Sequence, residues 1–182
     1  MTAVDLVDAA VHERVMAEAE RIKGWGEACE RLARDPVNQP TINNWLEAMG
    51  LDSQRFHDGE APPSMAQVWT MYGLGGRAPD NDPLHTMMNV LTDAGFVGVL
   101  GTNSEQTYER YLRVGEQVRV ATALDSVVGP KSTSMGVGYF TTSRSTWYVD
   151  TVSPEGGTHS ERVATMLFRV FKFIPARPEA AE

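Results

Sequence analysis

Apolar side chains recur at spacings of mostly three and four through the first part of the chain. Val4, Val7, Val11, Val15, Ile22, Trp25 and Leu32 fall on one stripe of a helix. Gly24 and Gly26 weaken that stripe midway, so the segment predicts two helices, or one broken helix, lying on a larger body. Asp35-Pro36 closes this extension, because a residue before proline is pushed out of the helical region. In QPTINNWLEAMG, residues 39–50, the stripe returns at Ile42, Trp45, Leu46 and Met49. Pro40 suits a first helical turn, where its missing N–H would have had no partner, and Gly50 is placed to close the helix in a left-handed conformation. A loop then runs to Ala61-Pro62-Pro63. Beyond it, SMAQVWTMY at 64–72 is apolar on nearly every face, which predicts a buried helix. GLGG at 73–76 frees the backbone. PLHTMMNVLTDAG predicts a further helix from Pro83 to a closing Gly95, with Asp82 as its cap.

After Gly95 the period changes. FVGVLGTNSEQTYERYL, EQVRVATALDSVV, SMGVGYFTTSRSTWYVDTV and ERVATMLFRVFKFI are rich in valine, threonine and aromatics. Val114-Gly115, Gly129-Pro130 and Pro154-Glu155-Gly156-Gly157 separate them. They predict four antiparallel strands, the last placed centrally because it is apolar on much of both faces. A buried helix followed by a long antiparallel sheet is an α+β layout in which the sheet wraps the helix, the hotdog architecture in outline. Such a sheet leaves an edge that a second copy or a related chain would cover. The expected organisation is a helical extension over 1–35, one hotdog domain over 36–175, and a solvated tail or the beginning of a linker over 176–182.

Composition narrows the function classes. The chain has 182 residues, room for one well-packed domain plus an extension rather than two full domains. A formal net charge of −8 argues against a nonspecific hold on nucleic acid. Cys29 is the only cysteine, which excludes an internal disulfide and a cysteine-based zinc site and fits a reducing compartment. The first residues lack a basic region with a long apolar core, and no run of about 18 apolar residues could span a bilayer. The expectation is a cytoplasmic protein with no membrane and no nucleic-acid partner.

The stretches DPVNQPTINNWLEAMG, APPSMAQVWTMYGLGG, TNSEQTYERYLRVGEQV and VVGPK, with Asp82-Pro83-Leu84, carry a family resemblance. The chain resembles MaoC-like hotdog enoyl-CoA hydratases. Within them it is similar to the larger subunit of bacterial hydratases of steroid side-chain breakdown. The resemblance implies a heterodimer or heterotetramer in which a smaller hotdog subunit supplies the catalytic aspartate and histidine. This chain would then contribute part of the acyl tunnel. It implies an enoyl-CoA thioester as substrate, with coenzyme A as part of that substrate and no separate cofactor. Larger subunits of this branch often continue into a second domain that binds an aldolase; the 182 residues are expected to be either a free-standing form or a truncated one.

Hydration of a conjugated thioester needs a water held between a base and an acid, and donors aimed at the thioester oxygen where negative charge gathers. The family motif for this is Gly-Asp-x-Asn-Pro-[Ile/Leu]-His, with the first N–H groups of the buried helix as donors. Asp52 and His57 have its spacing but lack the Asn-Pro. Aligned without a gap from Met49-Gly50, Leu51 and Phe56 take the two positions, and a one-residue insertion restores Asp52 and His57. The resemblance therefore implies a degenerate site, with an independently active hydratase using Asp52 and His57 as the alternative. A non-catalytic thioester-binding or assembly module and a hotdog thioesterase are the other readings. Trp69, Met71, Tyr72, Met87 and Met88 are the candidate acyl wall, since methionine and aromatic side chains adapt to a rigid ring system.

Three other features read as structural. Asp80 to His85, DNDPLH, looks closer to the motif, but it follows the expected buried helix and reads as a helix start. Tyr108, Arg110 and Gly115 match the family's strand and turn and are expected to serve packing and a tight turn. His12 and His159 are expected in solvent. No cluster spells a metal site.

Overall fold

The computed structural model describes residues 7–152 and 156–176. Helix α1 spans Ala9–Lys23 and starts where the Asp8 carboxylate accepts the N–H groups of Ala10 and Val11, at 2.9 and 3.2 Å. Val15, Ala19 and Ile22 form its buried stripe. Val4 lies outside the described residues, as do residues 177–182 of the expected tail. The expected second helix is absent. Past Gly24 and Gly26 (φ 64°) the chain forms strand β1, Ala28–Leu32, antiparallel to β3. Too few residues remain there to repay helix nucleation, and the edge of a long strand offers ready hydrogen bonds.

Helix α2, Gln39–Met49, is built as expected. Asn38 accepts from the Thr41 N–H at 3.0 Å, Pro40 occupies the first turn, and Gly50 adopts the left-handed conformation (φ 62°). A single turn, α3, spans Gln54–His57.

The stretch expected as one buried helix is instead two 3₁₀ turns, Pro63–Met65 and Val68–Thr70. Met65, Ala66, Trp69 and Thr70 are buried, but Met71 and Tyr72 are 62% and 37% exposed. Two consecutive prolines supply no N–H to a helical ladder. The N–H groups of Met65 and Ala66 close tight turns onto the carbonyls of Pro62 and Pro63. At Met71 the backbone becomes extended and leaves the interior. The longer helix on the sheet is α4, Pro83–Asp93, whose N–H at His85 donates to the Asp82 carboxylate at 2.8 Å. Met87 and Leu91 are fully buried along it, and Gly95 (φ 93°) follows its end.

Strands β2 (Gly98–Tyr108), β3 (Val118–Thr133), β4 (Gly136–Val152) and β5 (Thr158–Pro175) complete one antiparallel sheet in the order β1-β3-β4-β5-β2. The last strand is interior, as its two-sided apolar pattern predicts. Gly129-Pro130 does not separate two strands. It sits inside β3 at a register shift between Val128 and Lys131, where a proline without an N–H is tolerated, and the chain reverses after Thr133.

One face of the sheet carries both core clusters. Val118 and Val120 of β3 and Trp147 and Val149 of β4 pack with α2 and the two 3₁₀ turns. Leu124 of β3 and Tyr139 of β4 pack with α1 and α4. This sheet with a helical layer on one face is the hotdog fold, its helical layer divided between α2 with the 3₁₀ turns and α1 with α4. No helix among the described residues is long and apolar enough to cross a membrane.

Candidate functional site

Asp52 and His57 do meet. His57 Nε2 lies 3.0 Å from Asp52 Oδ1, positioned by the single turn α3 that follows α2. The pair borders a cleft of about 430 Å³ with Asn43, Leu46, Glu47 and Leu51. Its side chains are 93% and 47% exposed. A base and an acid in open water must compete with solvent at every step, because field and proton are both diluted by it.

The donors that the motif draws from the start of the buried helix are depleted at this end of the fold. Pro62 and Pro63 have no N–H. The next two beyond Ser64, those of Met65 and Ala66, are spent on their own turns.

The five expected wall residues do not gather. Met87 is fully buried in the α1–α4 core beside Ile22 and Phe96, and Met88 is half-buried on α4. Trp69 is buried in the other cluster. Met71 and Tyr72 stand at the rim of a groove of about 300 Å³ on the covered face of the sheet. Its floor is Val120, Thr122, Ser145, Trp147 and Met166, contributed by β3, β4 and β5. Trp147 Nε1 donates to Thr70 Oγ1 at 2.9 Å, which fixes the second 3₁₀ turn against that floor. Arg31 closes the side nearest β1. Its Nε donates to the Thr70 carbonyl at 2.7 Å, and its guanidinium lies 3.9 Å from the centre of the Tyr72 ring.

The floor residues were missed because no motif marks them. Their signal is the strand alternation of β3 and β4, which places Val120, Thr122, Ser145 and Trp147 on one face. Arg31 had no readable signal, since its segment reads as helix.

The remaining features fall where elementary chemistry puts them. Arg110 forms a two-pronged ion pair with Glu161 (2.9 and 2.8 Å) and a second pair with Glu116 (2.9 Å). The two acids hold its pKa up, and the guanidinium holds that of Glu161 down. Gly115 has φ 93°, in the left-handed region that its turn requires. His159 is exposed. His12 is not in solvent, as it is half-buried with Nδ1 2.9 Å from the hydroxyl of the buried Tyr139. In DNDPLH, Asp82 is engaged as the α4 cap and His85 is exposed. Pro83 to His85 form the first turn of α4 itself, as a helix start predicts, and the capping role of Asp82 argues against catalysis. No group of His, Cys, Asp or Glu among the described residues could hold a metal ion.

Residues 18–151 match the model of the FAS1-like, dehydratase domain region. The chain is 46% identical over 167 residues to the 3-oxo-4,17-pregnadiene-20-carboxyl-CoA hydratase alpha subunit of Mycobacterium tuberculosis, a match covering 86% of this chain and 51% of that protein. It is 32% identical over 166 residues to a probable enoyl-CoA hydratase alpha subunit of Thermomonospora curvata, covering 84% and 50%. A chain in the crystal structure of the ChsH1-ChsH2 complex from Mycobacterium tuberculosis matches with a TM-score of 0.80 at 43% identity, over 93% of this chain and 97% of that one. The chain spans about half the length of the curated relatives it matches.

Proposed function

Because the chain belongs to the family of FAS1-like dehydratase domain regions, we propose that it is a subunit of a heteromeric enoyl-CoA hydratase acting on a steroid side-chain thioester. It binds the acyl group, and a partner hotdog subunit supplies the working aspartate and histidine. The names of its relatives as hydratase alpha subunits, one of them for a pregnadiene carboxyl-CoA, support the substrate class. The match to a chain of a two-component complex supports the partner.

The observation that carries the reading is a separation. The exposed Asp52–His57 cleft and the apolar groove of Trp147 and Met166 share no lining residue. In the reaction a base removes a proton from water and the resulting hydroxyl adds to the β-carbon. The α-carbon takes a proton, and charge builds transiently on the thioester oxygen. That sequence needs enclosure, which the exposed Asp52–His57 pair lacks. A groove that holds a rigid hydrophobic body supplies orientation, worth several orders of magnitude in rate when the reacting atoms are held in line.

The partner has a natural docking edge. Strand β2 pairs on one side with β5 and is exposed from Val99 to Thr107. Its outer row of N–H and C=O groups is a template for another strand.

The test is reconstitution, followed by loss of the conjugated thioester absorbance. The chain alone is expected to be inactive. Activity is expected with a catalytic hotdog subunit, and it should stay within about twofold in Asp52→Ala and His57→Ala, as for surface groups outside the chemistry. The 3.0 Å contact between Asp52 and His57 favours a second reading, an independently active hydratase. Turnover by the lone chain, abolished by either substitution, would establish that reading instead. Partner turnover that is indifferent to the presence of this chain would assign it to assembly alone.

A further inference from the structure

Strand β1 contains one residue too many. Ala28 lies opposite Thr122 and Arg31 opposite Val120, so three steps on β1 match two on β3. The extra residue is a β-bulge, and next to it Cys29 has φ 52°, the only non-glycine with positive φ among the described residues. The consequence follows from the two-residue period of a strand. With an unbroken register after Ala28, Glu30 would face Val120, and Arg31 would project from the opposite face of the sheet. The bulge turns Arg31 onto the covered face, across from a floor residue of the groove. Backbone in a sparsely populated region persists only where its surroundings enforce it. Here they do so through the buried Cys29 thiol, 3.8 Å from the Asp82 carboxylate that also caps α4.

Arg31 is the one half-buried arginine among the described residues that forms no ion pair; the other two, Arg110 and Arg119, are both paired with acids. Nε is used by the Thr70 carbonyl and the guanidinium plane by Tyr72. Its terminal amino groups make no hydrogen bond among the described residues. A guanidinium held by one acceptor and one ring face is fixed in place and keeps its remaining donors for a ligand. Beside it the floor is otherwise apolar, or carries hydroxyls such as that of Ser145.

We propose that Arg31, aimed by the β1 bulge and locked by Tyr72 and Thr70, is a specificity-determining residue of the groove. It selects a ring system bearing an acceptor oxygen over the same hydrocarbon without one. This rests on the reading that the groove takes the acyl group, and it adds which chemical feature of that group is recognised. A donor fixed before binding rewards the correct oxygen and leaves little to lose in ordering. A ligand lacking that oxygen strips water from the guanidinium without replacing it.

The experiment uses the full chain and two probes, 5α-androstan-3-one and 5α-androstane, with binding read by tryptophan fluorescence because Trp147 lines the groove. The wild-type chain is expected to bind the ketone about tenfold more tightly, the worth of one hydrogen bond to a charged donor. Arg31→Met should bring the two affinities within about twofold by weakening only the ketone. Arg31→Gln, the milder change, should reduce the preference to about threefold and guards against a misfolded methionine variant. Equal wild-type affinities, or a preference that either variant leaves undiminished while both steroids bind, would overturn the role of Arg31 alone. Failure of both steroids to bind the wild-type chain would overturn the groove reading together with it.

Discussion

Two of the stretches that cover the sheet solve the task differently. Pro63–Thr70 and Pro83–Asp93 both open on proline and both bury a methionine completely, Met65 and Met87. Only the second is an α-helix. It starts from a side-chain cap, Asp82, and has eleven residues over which its hydrogen bonds can repeat. The first starts from Pro62 with no side-chain cap and two adjacent residues unable to donate, so it settles into tight turns and then departs from the core at Met71. Where a full helix lies on the sheet, the face is filled. Where the turns stop short, the groove of Trp147 and Met166 remains. The difference teaches that the candidate ligand space arises from a helix that did not continue.

Substitutions can sharpen that contrast. The largest effect is expected from Met87→Ala and Met65→Ala, each costing about 2–5 kcal/mol in urea unfolding, because both side chains are fully buried. Similar costs would show that burial and not helicity sets the contribution of each stretch. A cost confined to Met87 would show the 3₁₀ turns to be loosely held. Trp147→Phe comes next, at about 1–3 kcal/mol, since it removes the buried donor that pins Thr70 while keeping most of the ring. Asp82→Ala is the smallest, about 1 kcal/mol for the loss of a helix cap. It should also free the Cys29 thiol, whose pKa is raised by burial first and by Asp82 second, to react faster with a thiol reagent at neutral pH.

Much of this layout was legible in the chain. Strands β2 to β5 announce themselves by composition and alternation, and α2 and α4 by caps, first-turn prolines and closing glycines. The failures share a cause. Residues 28–32 read as helix because Leu32 falls on the stripe of Ile22 and Trp25, while their structure is decided by β3, far away in sequence. The stretch 64–72 is apolar on nearly every face, but a hydrophobicity pattern carries no count of available N–H groups, and two prolines decide the outcome. At the site, the Asp52–His57 contact was readable from spacing. Its exposure was not, since exposure depends on what α3 packs against. Arg31 could not have been found, because a bulge shifts orientation by one residue and leaves no mark in composition.

The central claim is that this chain holds the acyl group in the groove beneath Tyr72 and not beside His57. A crystal structure of the chain with its hotdog partner and a non-hydratable acyl-CoA analogue tests it most directly. The ring system should lie against Val120, Trp147 and Met166, with Arg31 close to its oxygen. Rings seated between Leu51 and His57, with the groove filled by side chains, would contradict the account.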